Sequence, residues 1–248
     1  MNVPASPPRT HRWQRGLLPT VAAVAGIALF ASAGQWQYRR MGQMEMLRAQ
    51  FDAATAAPVT GLPRDVDDWN AWRYRPVVVD GAFDAAHQVL IDNKVEDGRA
   101  GYHVVTPLII DDGRAVLVDR GWVAAGPSRA QLPSATPPAG NVSVHGRVNV
   151  PTPNYIEFGR DAPAGTVWQN LDPARVARAT GVAFLPIVVE QTAPLHQGDD
   201  LVRAWPAPDF GIERHRIYMA QWYLFAVLTA GLWLYFNVRR PRSAPEDD

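Results

Sequence analysis

Two stretches of this chain run for 22 residues each without a charge. They are Leu17 to Tyr38 (LLPTVAAVAGIALFASAGQWQY) and Ile217 to Val238 (IYMAQWYLFAVLTAGLWLYFNV). Each reaches the roughly 20 apolar residues that a helix needs to cross a bilayer. Charges stop at Arg15 and resume at Arg39, then stop at Arg216 and resume at Arg239. Rings gather at the ends: Trp13, Trp36 and Tyr38 on the first, Tyr218, Trp222, Tyr223, Trp233 and Tyr235 on the second. Such rings favour headgroup depth. The pattern predicts two transmembrane helices. Arg9, Arg12 and Arg15 before the first, and Ala31-Ser32-Ala33 within it, imitate a cleaved signal peptide. The apolar run exceeds the usual signal core of roughly 7–15 residues, so an uncleaved anchor is expected.

Between the spans the period changes. Arg39 to Ala57 reads as a helical stalk with Met44, Leu47 and Phe51 on one face. Pro58 to Asn70 reads as a linker. Strands are predicted over Tyr74–Phe83 (bulged or ended at Gly81), Gln88–Asp92, Tyr102–Ile110, Ala115–Val123, Val142–Val150, Thr166–Leu171 and Leu185–Gln191. Asp112-Gly113 between two apolar runs signals a hairpin turn. Asp172-Pro173 followed by ARVARAT and Gly181 predicts a short helix with an Asp N-cap and a Gly C-cap. Pro194 to Gly211 is polar and loop-like. The expected fold class is membrane α+β: N- and C-terminal transmembrane helices flank a β-rich, barrel-like extramembrane domain with one short helix. Its segments are a tail at 1–16, helices at 17–38 and 217–238, the domain at 39–216 and a tail at 239–248.

Two spans place both termini on one side. Six arginines near the spans lie on the terminal side and six on the loop side, so the positive-inside rule does not choose. The long central domain and the short basic N-tail favour cytoplasmic termini and a periplasmic domain.

Composition removes several chemistries. The 24 basic and 24 acidic residues cancel, which argues against nucleic acid as a partner. The chain has no cysteine, which excludes disulfides, thiol catalysis, iron–sulfur clusters and covalent c-type haem. With no Met/His cluster either, copper handling is not expected. No nucleophile elbow, phosphate loop or HExxH occurs. Asp65, Asp67 and Asp68 lack the Gly and Glu of a calcium loop. His196, Asp199 and Asp200 read as a solvated loop, and nothing pairs Glu157 or Asp161. No enzyme is expected.

One histidine stands out by position. At about 100° per residue, His215, Tyr218, Trp222 and Phe225 fall at about 0°, 300°, 340° and 280°, one face about 80° wide. A neutral imidazole beside aromatic walls suits an axial haem ligand. The same residues also describe an interfacial histidine beside an ordinary aromatic belt.

Six segments carry a family resemblance. They are Gly34-Gln-Trp36-Gln37-Tyr-Arg39-Arg40; Tyr74-Arg-Pro-Val with Gly81-Ala-Phe83; Gly101-Tyr102-x-Val104-Val-Thr106-Pro107-Leu108; Val116-Leu-Val118-Asp119-Arg120-Gly121-Trp122-Val123; Trp168-Gln-Asn-Leu171-Asp172; and His215-x-x-Tyr218-x-x-Gln221-Trp222-Tyr223. In this order between two spans, they resemble the surfeit locus protein 1 family of cytochrome c oxidase assembly factors. Asp119 departs from the family's usual Asn, and Arg216 from its usual apolar residue. The resemblance implies a bacterial inner-membrane protein that helps mature the catalytic subunit of haem–copper oxidase. It implies haem a as a transient cofactor, His215 as the iron ligand, and haem a synthase as a second partner. Tyr218, Trp222 and Trp36 would line the haem, with Arg39 or Arg40 on a propionate; interfacial anchoring is the plainer role for the two arginines. The alternative function is a scaffold that stabilises the immature oxidase subunit without haem.

Overall fold

The computed structural model describes residues 11–64, 66–110, 113–128, 131–151, 165–171 and 173–238. Both tails beyond these limits, Asp65, Asp111-Asp112, Glu157, Asp161 and the Asp172 cap lie outside the described residues. The chain divides into a helical unit, up to Ala49 and from Asp209, and a β-rich unit, Gln50–Pro208.

The helical unit is built from α1 (His11–Thr55) and α3 (Ile212–Val238), both long and apolar enough to cross a membrane. At 1.5 Å per residue, the 45 residues of α1 extend roughly 65 Å, about twice the hydrocarbon thickness. The helix therefore continues well past its span, as the predicted stalk requires. Leu17, Leu18, Val21, Val24 and Leu29 on α1, and Leu224, Val227, Leu232 and Phe236 on α3, are exposed. A face this apolar is at home in lipid and not in water.

Among the described residues the β-rich unit holds eight strands: β1 (Thr60–Gly61), β2 (Pro76–Phe83), β3 (Val89–Glu96), β4 (Arg99–Ile109), β5 (Ala115–Ala124), β6 (Asn141–Asn149), β7 (Val167–Trp168) and β8 (Phe184–Gln191). They run in the order β1-β2-β6-β8-β5-β4-β3-β7, and β2 also pairs with β4. That pairing (Ala82 to Ile109, Phe83 to Leu108) closes β2, β6, β8, β5 and β4 into a five-stranded barrel. Alternate residues fill it: Val77, Val79, Val116, Val118, Val144, Val148, Leu185, Ile187 and Val189. The opposite face of β4, β5 and β8 presents Val105, Leu117 and Val188, covered by Trp168 and by Val176 of α2 (Pro173–Thr180). Burial on both faces explains why the first four residues of β5, Ala115–Val118, are all apolar. A barrel this small needs close strand crossings. A Cβ at Gly146 would lie 2.5 Å from Val189 Cγ1, and one at Gly101 2.2 Å from the Val123 carbonyl oxygen.

Several boundaries differ from the sequence expectation for local reasons. Strand β2 begins at Pro76 because Tyr74 sits at φ 68, outside the extended region. Strand β3 continues past Asp92 through a bulge, where Asn93 takes φ 60. It then turns into β4 through Asp97-Gly98, both at positive φ, a type I′ pattern. Gly181 closes α2 as predicted, at φ 69 with its N–H donating to the Ala177 carbonyl at 2.9 Å. Asp68 caps a 3-10 turn by accepting from Asn70 N–H at 2.8 Å. Phe51, on the last turns of α1, meets the Tyr74 ring edge-on at 4.8 Å.

Candidate functional site

The two apolar helices form an antiparallel hairpin with a readable seam. Near one end Trp233 Nε1–H donates to Thr20 Oγ1 at 3.1 Å. A Cβ on Gly26 would sit 3.7 Å from Thr229. Phe30 stacks on Trp222 at 5.9 Å and tilts against Phe225 at 5.7 Å. Gly34 faces the Tyr223 ring, which a Cβ there would approach to 2.9 Å. At the other end His215 Nδ1 lies 2.7 Å from Gln37 Oε1. On α3, His215, Trp222 and Thr229 follow a seven-residue repeat, as do Phe30 and Gln37 on α1. This is the spacing of a knobs-into-holes seam.

The predicted residues divide between that seam and its outside. His215 and Trp222 are half-buried within it, along with Phe225. Tyr218 is 46% exposed, at the edge of the same face. Trp36 is 61% exposed and Arg39 is fully on the outside of α1. Around α1, Arg39 stands about 160° from Gln37, whereas Arg40 stands only about 60° away. Arg216, the charge beside the histidine, turns aside: Nη1 donates to Glu213 at 2.7 Å, and Nη2 lies 4.0 Å from Glu45. Ala226 and Ala230 are both half-buried.

Sequence reasoning missed Gln37, which is only 7% exposed, and Phe30. The signal was the seven-residue step between them. An uncharged polar residue in that register is placed to answer a polar group on the facing helix.

The seam fits a haem as a donor set. Nδ1 of the imidazole faces the Gln37 amide oxygen, and a neutral ring with its proton on Nδ1 has the metal-binding lone pair on Nε2. Among the described residues no hydrogen bond engages Nε2. The rings of Trp222, Phe225 and Phe30 lie two to three helical turns deeper, about 10–15 Å along the axis. No group of three or more His, Cys, Asp or Glu able to hold a metal occurs among the described residues.

The β-rich unit contains a second polar concentration. Arg120, 2% exposed, donates to Gln88 Oε1 at 3.1 Å and to the Ala135 carbonyl at 2.6 Å, and lies 5.5 Å from the Phe83 ring. Burial pulls its pKa down; Asp199 opposes this and Arg203 adds to it. Asp199 departs from the solvated-loop expectation. Its side chain is 1% exposed and accepts from Arg203 Nη2 at 2.5 Å and Leu195 N–H at 3.3 Å. His196 and Asp200 are exposed as expected. The unusual Asp119 has its own partner: Oδ2 lies 2.7 Å from His103 Nδ1, and Oδ1 accepts from Gly121 N–H at 3.2 Å.

Burial disfavours the Asp199 carboxylate, but the hydrogen bond and charge of Arg203, the Leu195 N–H and Arg120 outweigh it, so its pKa is lowered. A lowered carboxylate stabilises the fold above the unfolded value of about 3.9 and loses that contribution as pH falls through the folded value. Asp199→Asn is therefore expected to lose about 1.5–3 kcal/mol at neutral pH. Its unfolding midpoint should also fall less steeply than wild type below about pH 4. Thermal unfolding followed by tryptophan fluorescence across pH 2–7 checks both; parallel curves would contradict the assignment.

Residues 24–227 match the SURF1 family. A yeast protein, cytochrome oxidase assembly protein SHY1 of Saccharomyces cerevisiae, is 28% identical over 156 residues, 60% of this chain and 40% of its own length. Surfeit locus protein 1 of Mus musculus is 27% identical over 225 residues, 84% of this chain and 72% of its own. A SURF1-like protein of Mycobacterium bovis is 26% identical over 214 residues, 80% of this chain and 73% of its own. The chain thus spans under half the yeast relative and nearly three quarters of the other two.

Proposed function

This chain belongs to the SURF1 family, and from that premise we propose that it is a membrane-anchored assembly factor for haem–copper oxidase, holding haem a at His215 and passing it to the catalytic subunit. The yeast relative's name assigns that protein to cytochrome oxidase assembly, which supports the coarser half. The observation that carries the finer half is the His215 imidazole turned into the hairpin seam against Gln37.

The residues divide the work by depth. His215 would supply the imidazole nitrogen that holds the iron. Trp222 and Tyr218 on α3 offer ring surface to the apolar body of the macrocycle. On α1, Arg40, about 60° from Gln37, and Arg39, about 160° away, would offer guanidinium donors for charge-assisted hydrogen bonds to a propionate. A courier must release its cargo, and one protein ligand releases more readily than two. Haem a synthase is the donor in this scheme and the oxidase catalytic subunit the acceptor. The protein sits in the bacterial inner membrane with both termini cytoplasmic and the β-rich unit in the periplasm. The cytoplasmic placement rests on the length of the central domain, since long domains translocate largely regardless of charge. The protein makes and breaks no covalent bond.

Purification from cells that make haem a tests this. The courier function predicts a Soret band that co-elutes with the protein. A colourless preparation that still captures oxidase subunits would contradict haem carriage and leave the scaffold function standing.

A further inference from the structure

We infer that Gln37 is a positioning residue for His215, fixing its tautomer so that Nε2 is the nitrogen offered to iron; this rests on the haem-courier function above. Three observations lead there. Gln37 is 7% exposed, the one buried polar residue among the described residues of the helical unit. Its Oε1 lies 2.7 Å from His215 Nδ1 across a sequence separation of 178 residues. His215 itself is only half-buried, so its ring also reaches the edge of the seam.

The chemistry follows from the partner. An amide oxygen only accepts, so Oε1 facing the ring favours the tautomer with its proton on Nδ1. A neutral imidazole has one proton, and Nε2 is left with the lone pair that binds metal. Ligating histidines commonly have the second nitrogen held this way, by a carbonyl or carboxylate that sets ring orientation and donor strength. Here the acceptor comes from the facing helix. The ligand is therefore complete only when the hairpin is closed. A helical pair that parts at this end releases the ring, loses the tautomer bias and loosens the iron.

The test has a readout without haem. Full-length protein in detergent micelles, with ring-15N histidine, is measured at a pH where the imidazole is neutral. The His215 signal is assigned by its loss in His215→Ala. Wild type should show the Nδ1–H tautomer; Gln37→Leu should shift it toward Nε2–H; Gln37→Glu, still an acceptor, should restore Nδ1–H. Haem a titration then gives a second arm. Gln37→Leu should weaken binding about 10–100-fold. Gln37→Glu should recover most of that affinity and lower the iron's reduction potential, because a carboxylate partner makes the imidazole a stronger donor. Unchanged thermal unfolding in Gln37→Leu separates positioning from a packing defect. Nε2–H in wild type, or a tautomer indifferent to Gln37→Leu, overturns the inference. If wild type takes up no haem a at all, the courier function fails instead, while the tautomer result still decides the role of Gln37.

Discussion

Arg120→Met is expected to destabilise the β-rich unit by about 3–5 kcal/mol, the effect of removing one member of a buried charge cluster. Methionine keeps most of the volume, so packing loss is small. What remains is polar. Gln88 Oε1 and the Ala135 carbonyl lose their 3.1 and 2.6 Å donors, and Gln88 keeps only the Thr106 hydroxyl at 2.9 Å. Asp199 is left, 1% exposed, with Arg203 as its counter-charge. For a protein of this size the midpoint should drop on the order of 10 °C in thermal unfolding of the full chain in detergent. Lysine at the same position should recover only part of the loss, because a single ammonium cannot reproduce the guanidinium fork. A midpoint within 2 °C of wild type, to use a rough threshold against that expectation, would mean that the cluster is not a fastening. The prediction bears on function indirectly: Arg120 lies in the Asp-Arg-Gly-Trp run that carried part of the family resemblance, and its geometry makes it a clamp of the domain.

His215→Ala is expected to weaken haem a binding by at least about 100-fold, since even the groups that merely orient a metal ligand are worth 10–100-fold. The fold should change far less. Gln37 loses the donor to its Oε1, which costs about 1–3 kcal/mol for a buried polar group. Phe30, Trp222 and Phe225 still hold the seam. Haem titration alongside thermal unfolding separates the two effects. A variant that binds haem a as wild type does would remove His215 from the site; one that fails to fold would show that the histidine is structural.

The large features of this molecule were legible because they are local. A 22-residue interval without charge announces a span wherever it occurs. Alternating valines announce strands, and Gly181 announces a helix end. What escaped depends on residues far apart in the chain. Strand β1 has only two residues and pairs in parallel, so it carries no periodic pattern of its own and lay hidden in the expected linker, whereas β7 is the short core of the strand expected over Thr166–Leu171. A barrel-like domain was expected, but the contact that closes it, Ala82 and Phe83 meeting Ile109 and Leu108, lies in no sequence window. The Asp97-Gly98 turn was within reach, since it has the same dipeptide signal as Asp112-Gly113. The bulge at Asn93 hid it by breaking the strand alternation before the turn. Asp199 looked solvated because its neighbours are polar; its burial is set by Arg203 and by Leu195 folding over it. At the candidate site, the His215 face was readable from 3.6-residue geometry, but its answer on α1 was not. Gln37 belongs to the most aromatic part of the exit motif, and Trp36 beside it drew the attention. The structure reverses their weight: Trp36 faces outward and Gln37 faces the histidine.

The most direct measurement is pulsed electron paramagnetic resonance on the ferric haem a complex of the full-length protein prepared with ring-15N histidine. Coupling to one imidazole nitrogen is predicted in wild type, and its disappearance in His215→Ala. An identical histidine coupling in that variant, or none in either protein, would contradict the placement of iron at His215.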